Sequence, residues 1–382
     1  MKKLLQKNGV SSFLSALIAI AAGIFLGFFI LLIANSGQAL RGLGMILRGG
    51  FVSMREIGQL LYDATPIIMT GLSVGFANKC GLFNIGGPGQ FVVGGYMAIL
   101  VGVKATFLPG ATQWIVALLA AALAGAVWGL IPGLLKALFQ VNEVISCIMM
   151  NYIGMSFVNM LVRRTVYDST KNQSLLPTGS ALLPKMGLDK VFVSGGTASS
   201  ANSGILIALL VGVLMYIIVS KSRFGFELRA CGLNRDAAKY AGINEKRSIM
   251  LSMAIAGALA GLGGALLYLS GAGRALHVVD TLAQEGFNGI PVALLGMNHP
   301  IGIIFAGIFV ANLTRGGFNM QVLGYVPEVI AVIIAVIIYL SAFALFFRQV
   351  LQGARRRKPA VSGSGKDTAP PPAKTQKGGE EA

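Results

Sequence analysis

KCGLFNIGGPGQ, residues 79–90, adjoins apolar runs at 59–78 and 88–106, and its reading decides the fold. Four glycines and a proline in twelve residues interrupt the helical hydrogen-bond ladder. Hydrocarbon cannot satisfy the backbone groups freed in this way. Such a segment survives at membrane depth only inside protein or beside a water-filled path. A second interrupted stretch, GFNGIPVALLGMNHP at 286–300, accompanies short apolar runs at 285–297 and 301–313.

Composition places both stretches in a membrane. The 382 residues are 55% hydrophobic and 12% charged, with a mean hydropathy of +0.74. A soluble chain carries about 25% charged residues. Apolar runs of about 20 residues match the hydrocarbon thickness. They fall at 12–34, 59–78, 88–106, 113–138, 143–162, 204–220, 249–270, 285–297, 301–313 and 324–347. The expectation is an all-α polytopic membrane protein of about ten transmembrane helices, some of them broken. The two interrupted stretches occupy matching places in spans 2–5 and 7–10. Span 2 starts outside and span 7 inside, so the groups read as an inverted repeat, an arrangement that marks a transport path. Glycines recurring every four residues, at 125, 129 and 133 and at 257 and 261, predict close helix packing.

The net charge of +17 is carried at span ends, in loops and in the tail. No basic face with interleaved aromatics appears, so nucleic acid is not the expected partner. Lys2, Lys3 and Lys7 before the first span, and Arg355–Lys358 after the last, place both termini in the cytoplasm. An even number of spans agrees. The leader reads as part of a retained first span, not a cleaved signal. The segment 163–203 falls outside although it carries five basic residues; charge in long loops controls topology weakly. Residues 1–352 form the transmembrane domain, and 353–382 read as a disordered basic cytoplasmic tail whose first part meets anionic lipid.

Cys80, Cys147 and Cys231 make no CxxC pair, and His277 and His299 are too few for a metal centre. GSGKD at 363–367 fails as a phosphate loop: Ala360 stands where the first glycine belongs, and Asp367 where Ser or Thr belongs. The chain is expected to carry no cofactor, nucleotide site or enzyme chemistry of its own.

The cytoplasmic segment 221–248, KSRFGFELRACGLNRDAAKYAGINEKRS, holds seven basic and three acidic residues. Asn234 can cap a short helix over Arg235–Ala241, with Asp236 in its first turn and Gly242 ending it. Ala237, Ala238 and Ala241 share one face, suited to a groove on a partner; the plainer reading is a basic loop that fixes topology. Asn84, Gln90, Asn151 and Asn288 place amides near or within apolar runs. Each can line a polar path or bond helix to helix. Their place in the broken segments favours the path for Asn84 and Asn288. Glu143, Glu285, Asp63 and Glu328 read as interfacial or helix N-terminal acids in preference to proton relays.

GLFNIGGPGQ (81–90), NEVISCIMMNYI (142–153), RACGLNRDAAKYAGIN (229–244) and GFNGIPVALLGMNHPIG (286–302), in that order, resemble the inner-membrane permeases of ABC importers for ribose, branched-chain amino acids and nucleosides. The nucleoside type is the nearest, and the likeness covers about 59–347. It implies that 229–244, with Arg229, Asn234, Ala237, Ala238, Ala241 and Gly242, is a coupling helix seated in an ATPase subunit that binds ATP and Mg. It implies that Asn84 and Asn288 line the path at the interface with a second permease, and that an extracytoplasmic solute-binding protein delivers the solute in the bacterial inner membrane. Nucleoside-type members carry Glu where this chain has Pro88. A simple-sugar or branched-chain amino acid permease, and a stand-alone ion-coupled transporter, are the alternatives.

Overall fold

The structure, a computed structural model, describes residues 8–109, 112–177 and 179–342. The tail at 353–382, the leader lysines and Arg355–Lys358 lie outside the described residues. The helices are α1 (Asn8–Ala34), α2 (Ala39–Arg48), α3 (Met54–Lys79), α4 (Gly87–Lys104), α5 (Gln113–Phe139), α6 (Glu143–Thr165), α7 (Leu188–Val191), α8 (Gly204–Lys221), α9 (Arg223–Leu233), α10 (Arg235–Tyr240), α11 (Glu245–Tyr268), α12 (Gln284–Leu295), α13 (Pro300–Met320) and α14 (Pro327–Ala342). Two antiparallel ladders, β1 (Tyr167–Asp168) with β2 (Gln173–Ser174) and β3 (Val193–Ser194) with β4 (Thr197–Ala198), decorate the α6–α8 connection.

Seven of the described helices are long and apolar enough to cross a membrane: α1, α3, α5, α6, α8, α11 and the α13 region. Of the other expected spans, α4 starts only at Gly87, α12 has 12 residues, and α14 is described to Ala342. At 1.5 Å per residue α12 is about 18 Å long, short of the roughly 30 Å core. Span 301–313 is not short, contrary to expectation: α13 continues through Arg315 to Met320, because Arg315 finds carboxylate partners and need not end the helix. The composition-based reading also omits α2, whose apolar and basic residues segregate to opposite faces, and α9.

Helix starts follow their caps. Ser53 accepts from the Glu56 amide at 3.3 Å, an S-x-x-E start for α3. Asn142 accepts from Val144 N at 2.9 Å, Asn234 from Ala237 N at 3.0 Å, and Asn244 from Arg247 N at 3.0 Å.

The inverted repeat is visible in the packing. Exchanging α3 with α11, α4 with α12, α5 with α13 and α6 with α14 maps the helix contacts onto one another. Thus α5 packs on α11 and α4, and α13 on α3 and α12; α6 touches α4 and α5, and α14 touches α12 and α13. The central pair, α3 and α11, is antiparallel, since Tyr62 meets Ser270 while Met69 meets Gly263. At the α5–α11 seam a Cβ on Gly129 would lie 2.5 Å from Met253 O, and one on Gly261 would lie 2.5 Å from Ala121 O. Only glycine lets these backbones close, and dispersion between them replaces a hydrophobic drive that lipid does not supply.

One end of the bundle carries α9, α10 and the C-terminus of α3; the other carries 166–203, where Phe192 and Ser199 lie against Gly58. Tyr325 donates to Asn35 O at 3.1 Å, tying the start of α14 to the end of α1 at the end opposite α9 and α10.

Candidate functional site

The two broken segments converge. Helix α4 opens at Gly87 with Pro88 in its first turn, where a missing amide proton costs nothing. Helix α12 opens at Gln284. Their N-terminal turns touch: a Cβ on Gly87 would lie 2.8 Å from Gly286 O, and one on Gly286 would lie 2.5 Å from Pro88 N. This meeting point lies beside the middle of α3, where Gly289 rests on Thr70. Two positive helix ends therefore face each other inside the bundle.

Asn84, Gln90 and Asn151 form one buried network around the first break. The Asn84 amide donates to Ser73 Oγ at 3.1 Å and to Gln90 Oε1 at 2.8 Å. Its oxygen accepts from Gln90 Nε2 and from Gly86 N, both at 3.1 Å. Asn151 Oδ1 accepts from Gly89 N at 2.9 Å, and its Nδ2 donates to Ile85 O at 3.0 Å. The amides thus bond the backbone groups of Ile85, Gly86 and Gly89 that lack helical partners where the ladder breaks. Asn288 stands apart from this network, exposed on α12.

Two cavities flank the meeting point. One, of about 430 Å³, is lined by Pro88, Asn151, Asn159, Arg274 and Glu285 among others. The other, of about 410 Å³, is lined by Gln59, Asp63, Arg274, Glu285, Asn288 and Arg315. Arg274 and Glu285 border both. On α13, Arg315 holds Glu56 with Nε–Oε2 at 2.7 Å and lies 4.0 Å from Asp63 Oδ2. Gln59 donates to Asp63 at 3.4 Å. Glu143, at the start of α6, pairs with Lys136 at 2.8 Å.

At the α9–α10 end, the short helix forms as expected, but it ends at Tyr240, and Ala241 is its cap. Gly242 follows at φ +81°. The alanine face divides. Ala238 is buried at 4% exposure against the chain's own core, whereas Ala237 and Ala241 are exposed. The outward surface gains Leu233 and Tyr240, 89% and 93% exposed, which the alanine-face reading omits. Arg229 turns back to Gly225 O at 3.2 Å within α9.

Helix α9 rests on the end of α3. Gly232 lies against Lys79 O, and a Cβ on it would come within 3.0 Å of Gly81 N. From the same turn Asn78 donates to Asn298 Oδ1 at 3.1 Å. Asn298 and Met297 both hold φ +54° in the connection from α12 to α13.

A family profile described as the permease component of branched-chain amino acid transport systems matches residues 56–347. The guanosine ABC transporter permease protein NupP of Bacillus subtilis (strain 168) is 39% identical over 91% of this chain and 98% of its own. The nucleoside ABC transporter permease protein NupB of Lactococcus lactis subsp. cremoris (strain MG1363) is 35% identical over 92% and 97%. The glucose ABC transporter permease protein TsgB13 of Haloferax volcanii is 31% identical over 89% and 88%. No solved structure matches the chain significantly.

Proposed function

We propose that this chain, which belongs to the permease-component family of the branched-chain amino acid transport systems, is the membrane subunit of an ATP-driven importer of nucleosides. The observation that carries the reading is the likeness to permeases named for guanosine and nucleosides over almost the whole chain. The geometry agrees with it. The N-terminal ends of α4 and of the short α12, from opposite repeats, meet beside polar cavities at mid-bundle, where a solute can be passed on. The likeness to a permease named for glucose favours a simple sugar as the second reading.

In this reading the chain does no covalent chemistry, and ATP with Mg is bound by a cytoplasmic ATPase subunit. That subunit seats α10 through Ala237, Ala241 and the exposed Leu233 and Tyr240, with Arg229, Asn234, Ala238 and Gly242 shaping the hairpin from within. Docking there puts the α9–α10 end in the cytoplasm, and with it both termini. The opposite end, with its two β-ladders, receives the solute-binding protein. A second, homologous permease covers the cavity mouths, since exposed Gln284 and Asn288 on α12 could not face lipid at this depth without cost. Asn288 faces the path, while Asn84, Gln90 and Asn151 hold the break that shapes it.

The test is uptake by the complete transporter in proteoliposomes. ATP-dependent accumulation of labelled guanosine, competed by other nucleosides and not by glucose, is expected. Accumulation by this chain alone under an ion gradient would end the importer reading. Competition by glucose alone would move the solute to the sugars.

A further inference from the structure

Glu285 and Asn288 are three residues apart on α12 and so share a face. Both line the cavity of about 410 Å³ between α3, α12 and α13. Among the described residues, neither the Glu285 carboxylate, which lies in the field of Arg274, nor the Asn288 amide makes a hydrogen bond or an ion pair within 4.0 Å. This is unlike the amides at the first break, which are bonded at both ends. The cations of the same cavity already face carboxylates. Arg315 is held by Glu56 at 2.7 Å and by Asp63 at 4.0 Å, and Arg274 bonds the Tyr62 hydroxyl and lies in the field of Asp63 and Glu285.

An ionised carboxylate only accepts, and it can take two hydroxyl donors; an amide both donates and accepts. A carboxylate and an amide side by side, neither of them hydrogen-bonded, match a vicinal diol. A phosphate would meet the carboxylates that these arginines already face, and drawing Arg315 away would leave Glu56 and Asp63 as uncompensated charges in a partly buried place. We propose that Glu285 and Asn288 bind the 2′- and 3′-hydroxyls of the ribose during passage, and that the carboxylates facing these arginines exclude phosphorylated forms. This rests on the nucleoside reading and names the part of the solute that the permease itself checks.

The experiment uses the complete transporter with its receptor at saturation, so that receptor affinity does not set the rate. Maximal uptake is compared for a ribonucleoside, its 2′,3′-dideoxy analogue and its 5′-monophosphate. The wild type is expected to move the ribonucleoside faster than the dideoxy analogue and to leave the monophosphate outside. Glu285→Gln, which keeps the shape, lowers the ribonucleoside rate by about tenfold, the scale of one hydrogen bond to a charged group, and Asn288→Ala, at an exposed position, by about fivefold, the scale of a neutral one. The dideoxy rate stays unchanged. Equal loss for both solutes, as a merely structural role would give, overturns the assignment, and so does no loss for either. Monophosphate uptake at the ribonucleoside rate overturns the exclusion. If the wild type moves glucose and no nucleoside, the nucleoside reading fails on its own; the diol assignment is then decided by the same ratio for glucose against 2-deoxyglucose.

Discussion

Replacing Asn84 with alanine tests whether the first break is held by its amides. The side chain makes five hydrogen bonds: four of 2.8–3.1 Å with Ser73 Oγ, both ends of the Gln90 amide and Gly86 N, and a weak one accepted from Cys147 Sγ at 3.7 Å. Asn84 and Gln90 are 0% and 1% exposed, so no bulk water replaces what is lost. The truncation orphans the Gly86 amide and both polar atoms of the Gln90 side chain. Each orphaned buried group costs about 1–3 kcal/mol. Interhelical hydrogen bonds in membranes average nearer 0.6 kcal/mol, because the unpacked helices find other partners. Two of the three groups belong to one side chain that can re-aim, whereas Gly86 N–H is fixed at a helix start. About 3 kcal/mol of destabilisation is therefore expected. Thermal unfolding of purified protein in detergent reads it directly, with Ser73→Ala, which removes one exchangeable partner, as a milder reference. An Asn84→Ala protein that unfolds with the wild type and transports at its rate would refute the view that these amides hold the break.

Three further outcomes follow from the same geometry. Ala237→Trp and Ala241→Trp should abolish co-purification of the ATPase while leaving insertion and unfolding temperature unchanged; co-purification at the wild-type level would count against docking through α10. Gly261→Leu should push α5 from α11, since even a methyl there lies 2.5 Å from Ala121 O; overpacking of this kind costs about 1–3 kcal/mol or more, read as a lowered unfolding temperature. Arg315→Met should destabilise the C-terminal end of α13 more than the double change with Glu56→Gln, because the single change strands a carboxylate; a double-mutant cycle without coupling would refute the pairing.

Much of this was legible in the sequence because the membrane imposes simple rules. Apolar run length gives most of the spans and the Gly/Pro cluster gives the break at 79–90, whereas 286–295 is helical and the irregular backbone of the second repeat precedes it, over 269–283. Asn234 and Gly242 bracket α10 because caps are local. What local pattern does not carry is direction across the bundle. Asn84 and Asn288 look alike in sequence, each in a broken segment, yet the first is locked among amides and the second opens on a cavity. Ala237 and Ala238 are adjacent alanines, and only packing against α9 decides which faces out. Arg315 reads as a charge that should end a span, and its carboxylates at Glu56 and Asp63 are some 250 residues away in the chain. Its reach across repeats is invisible to a window of twenty residues.

The last turn of α3 joins three parts of the molecule. Gly232 of α9 bears on Lys79 and Gly81, the break begins one residue later, and Asn78 holds Asn298 at the far end of α12. Among the described residues this turn is one route by which displacement of the α9–α10 hairpin would reach the start of α4 and, through one amide bond, the α12–α13 connection, beside the packing of α9 on α8 and α11. Neither long seam between α5 and α11 nor the lipid-facing helices need deform. If the proposed path runs between α4 and α12, this turn would gear its two halves together, and Asn78→Ala would uncouple one from the other.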